Sequence, residues 1–152
     1  MNPWNVAIFS YLYILALTLF VGKIATFSFL IAPIVHKLLE KEQAAKLLRV
    51  FFPRYYTFGI VCAILALISG IIFEYSASID RVKYWTILWA IILISEVVAL
   101  KVLVPMVEGA REGRIAGDPQ ATKKWELGHQ TSVRLNVLNL ILGLVLIGLY
   151  VG

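Results

Sequence analysis

Thiols, histidines and acidic groups are scarce in this sequence. Among 152 residues there are one cysteine, two histidines and nine Asp and Glu together. A lone cysteine forms no internal disulfide and builds no cysteine-rich metal site. Cys62 lies within an apolar run, where it reads as a small packing residue. Charged residues of both signs reach only 15%, against about 25% in soluble domains. So few charges cannot clothe a surface in water, which excludes a disordered chain, a nucleic-acid-binding domain and an ordinary cytosolic enzyme. No nucleophile-plus-base set, metal-ligand spacing or phosphate loop is present, and Gly109-Ala110-Arg111-Glu112-Gly113 lacks the Gly-Lys-Ser/Thr ending of the last. The expectation is a protein without enzymatic activity and without a cofactor.

What the chain has in abundance is apolar surface. Hydrophobic residues make up 61% and the mean hydropathy is +0.86. A bilayer-crossing helix needs about 20 apolar residues, and four segments qualify, at about 6–35, 55–73, 84–104 and 132–151. The expected fold is all-α: one integral membrane domain over 1–152, a four-helix bundle. Met1-Asn2-Pro3-Trp4-Asn5 carries no Lys or Arg, and the apolar run behind it outlasts the core of a signal peptide, so a retained first span is expected. Pro33 is placed to kink its end.

Three connections follow. His36 to Phe51, with Leu38, Leu39, Leu47 and Leu48 among charges, fits a short amphipathic helix on the membrane surface, stopped by Phe52-Pro53. Glu74 to Lys83 reads as a polar hairpin. From Pro105 to Gln130, turns are expected at Gly113, Gly117 and Asp118-Pro119, with a short helix over Thr122 to Gly128. Lys and Arg cluster in the first and third connections, eleven residues against two in the second and none in either tail. That asymmetry predicts both long connections inside and both termini outside, in a plasma or inner membrane. Trp4, Tyr84 and Trp85 then fall in the outer aromatic belt, Tyr55 and Tyr56 in the inner one. The basic connections are expected to meet anionic lipid headgroups rather than nucleic acid.

Topology does not account for two charges. Lys23 lies deep in the first span and Glu96 deep in the third, and each alone costs a few kcal/mol near the bilayer centre. The two spans run the same way and the residues sit at similar depth, so a direct ion pair is expected. It serves either a proton or cation site or the registering of two helices. His129, Ser132, Asn136, Asn139 and Gly143, spaced 3, 4, 3 and 4, form a polar stripe on one face of the fourth helix. Lipid cannot hydrogen-bond an asparagine amide, so this face turns inward. For Asn139 and Gly143 the reading is inter-helix packing, while His129 and Asn136 lie where a polar pocket would open. Neither His129 nor His36 alone defines a metal or haem site. Gly59, Cys62, Ala66 and Ser69, and likewise Gly22, Ala25 and Ser28, read as small-residue packing rows.

Phe52-Pro53-Arg54-Tyr55 opens the second span, Leu103-Val104-Pro105 closes the third, and His129-x-x-Ser132-x-x-x-Asn136 opens the fourth. With Pro33, these resemble the transmembrane protein 205-like family over nearly the whole chain. The resemblance marks Phe52, Pro53, Tyr55, Pro105, His129, Ser132 and Asn136. It implies a four-span membrane protein of unassigned activity, with export or trafficking of a metal complex suggested by the platinum resistance associated with animal members. Soft metals favour sulfur ligands, and only Cys62, Met1 and Met106 supply sulfur here. Three functions stay open: transport of a cation, metal complex or small polar solute, in a homo-oligomer or through a one-sided cavity; a structural or adaptor role; and haem handling.

Overall fold

A computed structural model describes residues 3–77 and 82–151, all helical apart from two short breaks. The chain runs α1 (Pro3–Thr26), a π-helical turn (Phe27–Ile31), α2 (Ala32–Leu38), α3 (Lys41–Ala77), α4 (Val82–Val98), a second π-helical turn (Ala99–Leu103), α5 (Val104–Ile115) and α6 (Pro119–Val151). Four continuous helices result that are long and apolar enough to cross a membrane: Trp4–Leu38, Glu42–Ile72, Lys83–Ile115 and Pro119–Val151. This is an all-α, four-helix membrane protein.

Each helix turns one 3/4-spaced row inward. Tyr13, Leu17, Phe20 and Ile24 do so on α1, Trp85, Trp89 and Ile92 on α4 with Ala99 at the start of the π-helical turn that follows, and Cys62, Ala66 and Ser69 on α3, all buried. The opposite faces stay apolar and exposed, as at Val61, Ile64, Ile68 and Ile71 on α3. A helix apolar on both faces suits protein on one side and lipid on the other.

Both π-helical turns end two residues before a proline, Pro33 in one case and Pro105 in the other. A proline inside a helix lacks an N–H and its ring presses on the carbonyl four residues back. The wide turn absorbs this, with Ala32 N–H bonded to the Phe27 carbonyl and Val104 N–H to the Ala99 carbonyl. The helices therefore continue past both prolines.

The connections depart from the sequence reading. The expected surface helix over 36–51 is interrupted by Leu39, which is extended at φ −107° and ψ 139°. Its second half is the start of α3, capped where the Gln43 side-chain oxygen accepts the Glu40 backbone N–H. Phe52-Pro53 does not stop it: α3 runs unbroken through Pro53, its first turns becoming an extension of the second span. Gly113 lies within α5 and Thr122 to Gly128 within α6, so the long third connection is a helical hairpin. Its turn is short. Gly117 adopts φ 81°, Asp118 N–H reaches the Gly113 carbonyl at 2.9 Å, and Asp118 then caps α6 by accepting the Gln120 N–H, with Pro119 in the first turn. The hairpin is tight because a Cβ on Gly128 would stand 2.8 Å from Val107 Cγ2. The turn of the expected hairpin between the second and third spans, residues 78–81, lies outside the described residues.

Three aromatic placements also change. Trp4 and Tyr84 are exposed, as a belt requires, but Trp85, Tyr55 and Tyr56 are buried in the core. Each is drawn in by other rings: Trp85 stacks on Tyr13 at 5.0 Å, and Tyr55 and Tyr56 join Phe27 and Phe52. The row at Gly22 and Ser28 is exposed, so it does not serve as a packing seam within the bundle.

Candidate functional site

Glu96 falls on the inward row of α4, between Ile92 and Ala99, and is fully buried. Lys23 stands beside Phe20 and Ile24 on the inward side of α1. Both helices place their charge just before the π-helical turn, so the two meet at one depth. Lys23 Nζ lies 2.6 Å from Glu96 Oε2, with side-chain exposures of 6% and 0%. At that burial a lone charge is costly, and the pair is tolerable only where the remaining hydrogen-bonding capacity is met.

The surroundings meet it on both sides. Asn139 Nδ2 donates to Glu96 Oε1 at 3.0 Å, and Ser95 Oγ donates to Asn139 Oδ1 at 2.7 Å. The ammonium lies 4.1 Å from the centre of the Tyr55 ring, 4.8 Å from Phe20 and 5.9 Å from Tyr56, an aromatic cage suited to a cation. Gly59 completes the wall on α3: a Cβ there would overlap both the Glu96 carboxylate and the Lys23 ammonium. α1, α3, α4 and α6 thus all converge on one ion pair.

The polar row of α6 leads away from it toward the basic end of the bundle, where the charged connections lie. Asn136 Oδ1 accepts a hydrogen bond from the Tyr55 hydroxyl at 3.1 Å. Ser132 Oγ donates to the His129 carbonyl at 2.8 Å within its own helix. The His129 ring stacks on Trp125 at 5.0 Å, and Trp125 in turn carries the Arg114 guanidinium 3.6 Å from its centre. Gly143, at the other end of the row, packs against Val21 rather than joining the polar groups.

His129 and Ser132 do not touch the ion pair. They line a separate cavity of about 40 Å³ between α3, α5 and α6, with Tyr56, Arg49 and Glu108 among its other walls. Glu108 is clasped by Arg49 Nε at 2.7 Å and Arg111 Nη2 at 2.6 Å, and Arg111 also donates to the Ala45 carbonyl. This triad ties the start of α3 to α5. The Tyr56 side chain has one face toward Lys23 and its hydroxyl toward this cavity, beside Ser132 and Asn136.

Of the residues marked by resemblance, Phe52, Tyr55, Ser132, Asn136 and His129 gather at the basic end. Pro53 and Pro105 shape the helices without touching the ion pair. Sequence reasoning missed Ser95, Tyr55 as the cage of Lys23, and Gly59 as the space for the pair. Gly59 carried a signal, since it heads a small-residue row at the depth of Lys23. Ser95 carried none beyond its place before Glu96. Among the described residues, no group of three or more His, Cys, Asp or Glu side chains is placed to hold a metal ion.

Residues 15–116 match the model of a domain of unknown function, DUF4149. The match includes Lys23, Gly59 and Glu96 and ends before α6. No curated protein and no solved structure matches the chain.

Proposed function

The chain belongs to the DUF4149 family, which carries no assigned activity, and from its geometry we propose that it transports a proton, a small cation or a small polar solute, with Lys23 and Glu96 as the central site. The observation that supports this is the way the ion pair is held. A pair serving only to register α1 against α4 needs no polar neighbours beyond its own hydrogen bonds. Here, beyond Asn139, which satisfies the carboxylate itself, Asn136, Ser132 and His129 continue along α6 to the basic end. Intramembrane ionisable residues facing the bundle interior mark ion pathways more often than ornament. In this reading no covalent chemistry is performed. The basic connections face the cytoplasm, where they meet anionic headgroups, both termini lie outside, and a single bundle or a homo-oligomer moves the solute across the plasma or inner membrane. The motifs at Phe52-Pro53, Pro105 and His129 further ally the chain with the transmembrane protein 205-like group.

The test is flux in proteoliposomes, read with a pH-sensitive dye and with tracer cations. Wild-type protein is expected to conduct, and Glu96→Gln to abolish conduction while remaining folded. Absence of flux for protons and every cation tried would overturn the reading.

A second reading has its own observation. Gly59 lets α3 close so tightly over the pair that the pair has the environment of a structural lock. On this view the protein is a scaffold or adaptor. It predicts that Lys23→Met combined with Glu96→Gln leaves the cellular phenotype unchanged, whereas the transport reading predicts that it is lost.

A further inference from the structure

We propose that the cavity at the basic end is a water-filled entry and that Tyr56 is its inner wall, so the species reaching the Lys23–Glu96 pair is the proton rather than a hydrated cation or a larger solute. This rests on the transport reading above and names its substrate and its side of entry.

Size decides first. A water needs roughly 10–15 Å³ of such space, so about 40 Å³ holds about three or four waters. A cation that keeps its full hydration shell needs more room than that. Polarity decides next. A cavity takes water when each molecule finds two or more polar partners. The Tyr56 hydroxyl is buried and borders the cavity with Ser132 and Asn136 beside it, but their geometry leaves its hydrogen bonding incomplete. Ser132 has spent its proton on the His129 carbonyl and retains its lone pairs. The Glu108 carboxylate offers further acceptors, and the exposed Arg49 stands at the mouth. A dry Tyr56 hydroxyl would be left short of hydrogen-bond partners, and water supplies them.

Position decides last. The Tyr56 ring centre lies 5.9 Å from Lys23 Nζ, so one side chain borders both this cavity and the ion pair. At the opposite end, among the described residues, Tyr13, Trp85 and Trp89 pack against one another and leave no space for a water between them. A hydronium arriving in the cavity hands its proton to the Glu96 carboxylate when Tyr56 moves aside. The products are water, a neutral carboxylic acid and a Lys23 ammonium freed from its partner.

Hydroxyl-radical footprinting in nanodiscs tests the water directly, because radicals generated from bound water oxidise adjacent tyrosines. Tyr56 is expected to label at least fivefold faster than Tyr13, which is at least as well buried. Ser132→Leu, which fills the cavity, should bring Tyr56 down to the rate of Tyr13; Val107→Phe serves the same end should the first variant fail to fold. Equal labelling of the two tyrosines in the wild type overturns the water-filled entry. Flux measured beside it separates the two ideas. Conduction that follows Na⁺ or K⁺ and ignores a pH gradient overturns the proton assignment and leaves transport standing. Strong Tyr56 labelling with no flux of any ion overturns transport, and with it proton delivery to the pair.

Discussion

At the end of the bundle where α1 begins and α6 ends, Tyr13 stacks between Trp85 and Tyr150, Trp89 Nε1 donates to the Tyr13 hydroxyl, and Ser10 meets Tyr150. At the basic end, Phe27, Phe51, Phe52, Tyr55 and Tyr56 form an equally dense ring cluster. Both ends are aromatic, yet the second is also crossed by a polar row and flanked by a cavity with room for water. Rings pack well in either setting, since tyrosine offers an apolar body and a polar tip. The difference lies in what the tips touch. Trp89 and Tyr13 satisfy each other inside the core, whereas Tyr55 passes to Asn136 and Tyr56 faces the cavity. An aromatic plug and a polar approach thus lie on opposite sides of one buried ion pair.

The sharpest way to break that contrast is to strip the ion pair of one partner. Lys23→Met leaves Glu96 buried, charged and hydrogen-bonded only by Asn139. Breaking a buried pair in this way costs about 3–5 kcal/mol, which should appear as a large fall in the thermal midpoint in detergent. Adding Glu96→Gln removes the stranded charge and keeps an acceptor for Asn139. The double variant is expected to recover most of the loss. Additive losses would show that the two side chains act independently.

Next in size is Gly59→Ala. One methyl group is small, but it falls on the ion pair itself. Overpacking a filled core costs about 1–3 kcal/mol, and here relief comes only by pushing α3 from α1 or by parting Lys23 from Glu96. The same substitution at Gly22, where nothing lies within 4 Å, should leave stability unchanged or slightly raised. Equal effects at the two glycines would remove Gly59 from the site.

Much of this was legible in advance, for reasons that differ by feature. The four spans follow from hydropathy because lipid imposes one requirement on every residue of a span. Lys23, Glu96 and Asn139 stood out because a charge or an amide in an apolar run has no other explanation. The interior placement of Tyr55, Tyr56 and Trp85 was hidden, since an aromatic near a span end suits the interfacial belt and the core alike. The continuation of the helices through Pro33, Pro53 and Pro105 was hidden too. Local rules break a helix at proline, while in a membrane the backbone must stay hydrogen-bonded; at Pro33 and Pro105 a π-helical turn is the smaller concession, and α3 stays α-helical through Pro53. Gly59 was legible as a small residue and illegible as a partner of the ion pair, because partnership is a property of four helices at once.

The smallest expected effect sharpens the contrast within the basic end. Glu108 and Glu42 both pair with basic side chains there, and sequence alone ranks them equal. Glu108 is mostly buried and joined by two arginines from different helices, one of which also holds the Ala45 carbonyl. Glu42 meets Lys46 one turn along the same helix with both side chains about three-quarters exposed. Glu108→Gln strands Arg111 and loosens α3 from α5, so the thermal midpoint should fall and the cavity wall should open, seen as faster oxidation of Tyr56. Glu42→Gln removes an exposed pair already screened by water and salt, and no change is expected in either measurement. If the two substitutions behave alike, the basic end is held by net charge rather than by the triad, and the cavity it walls has no fixed shape.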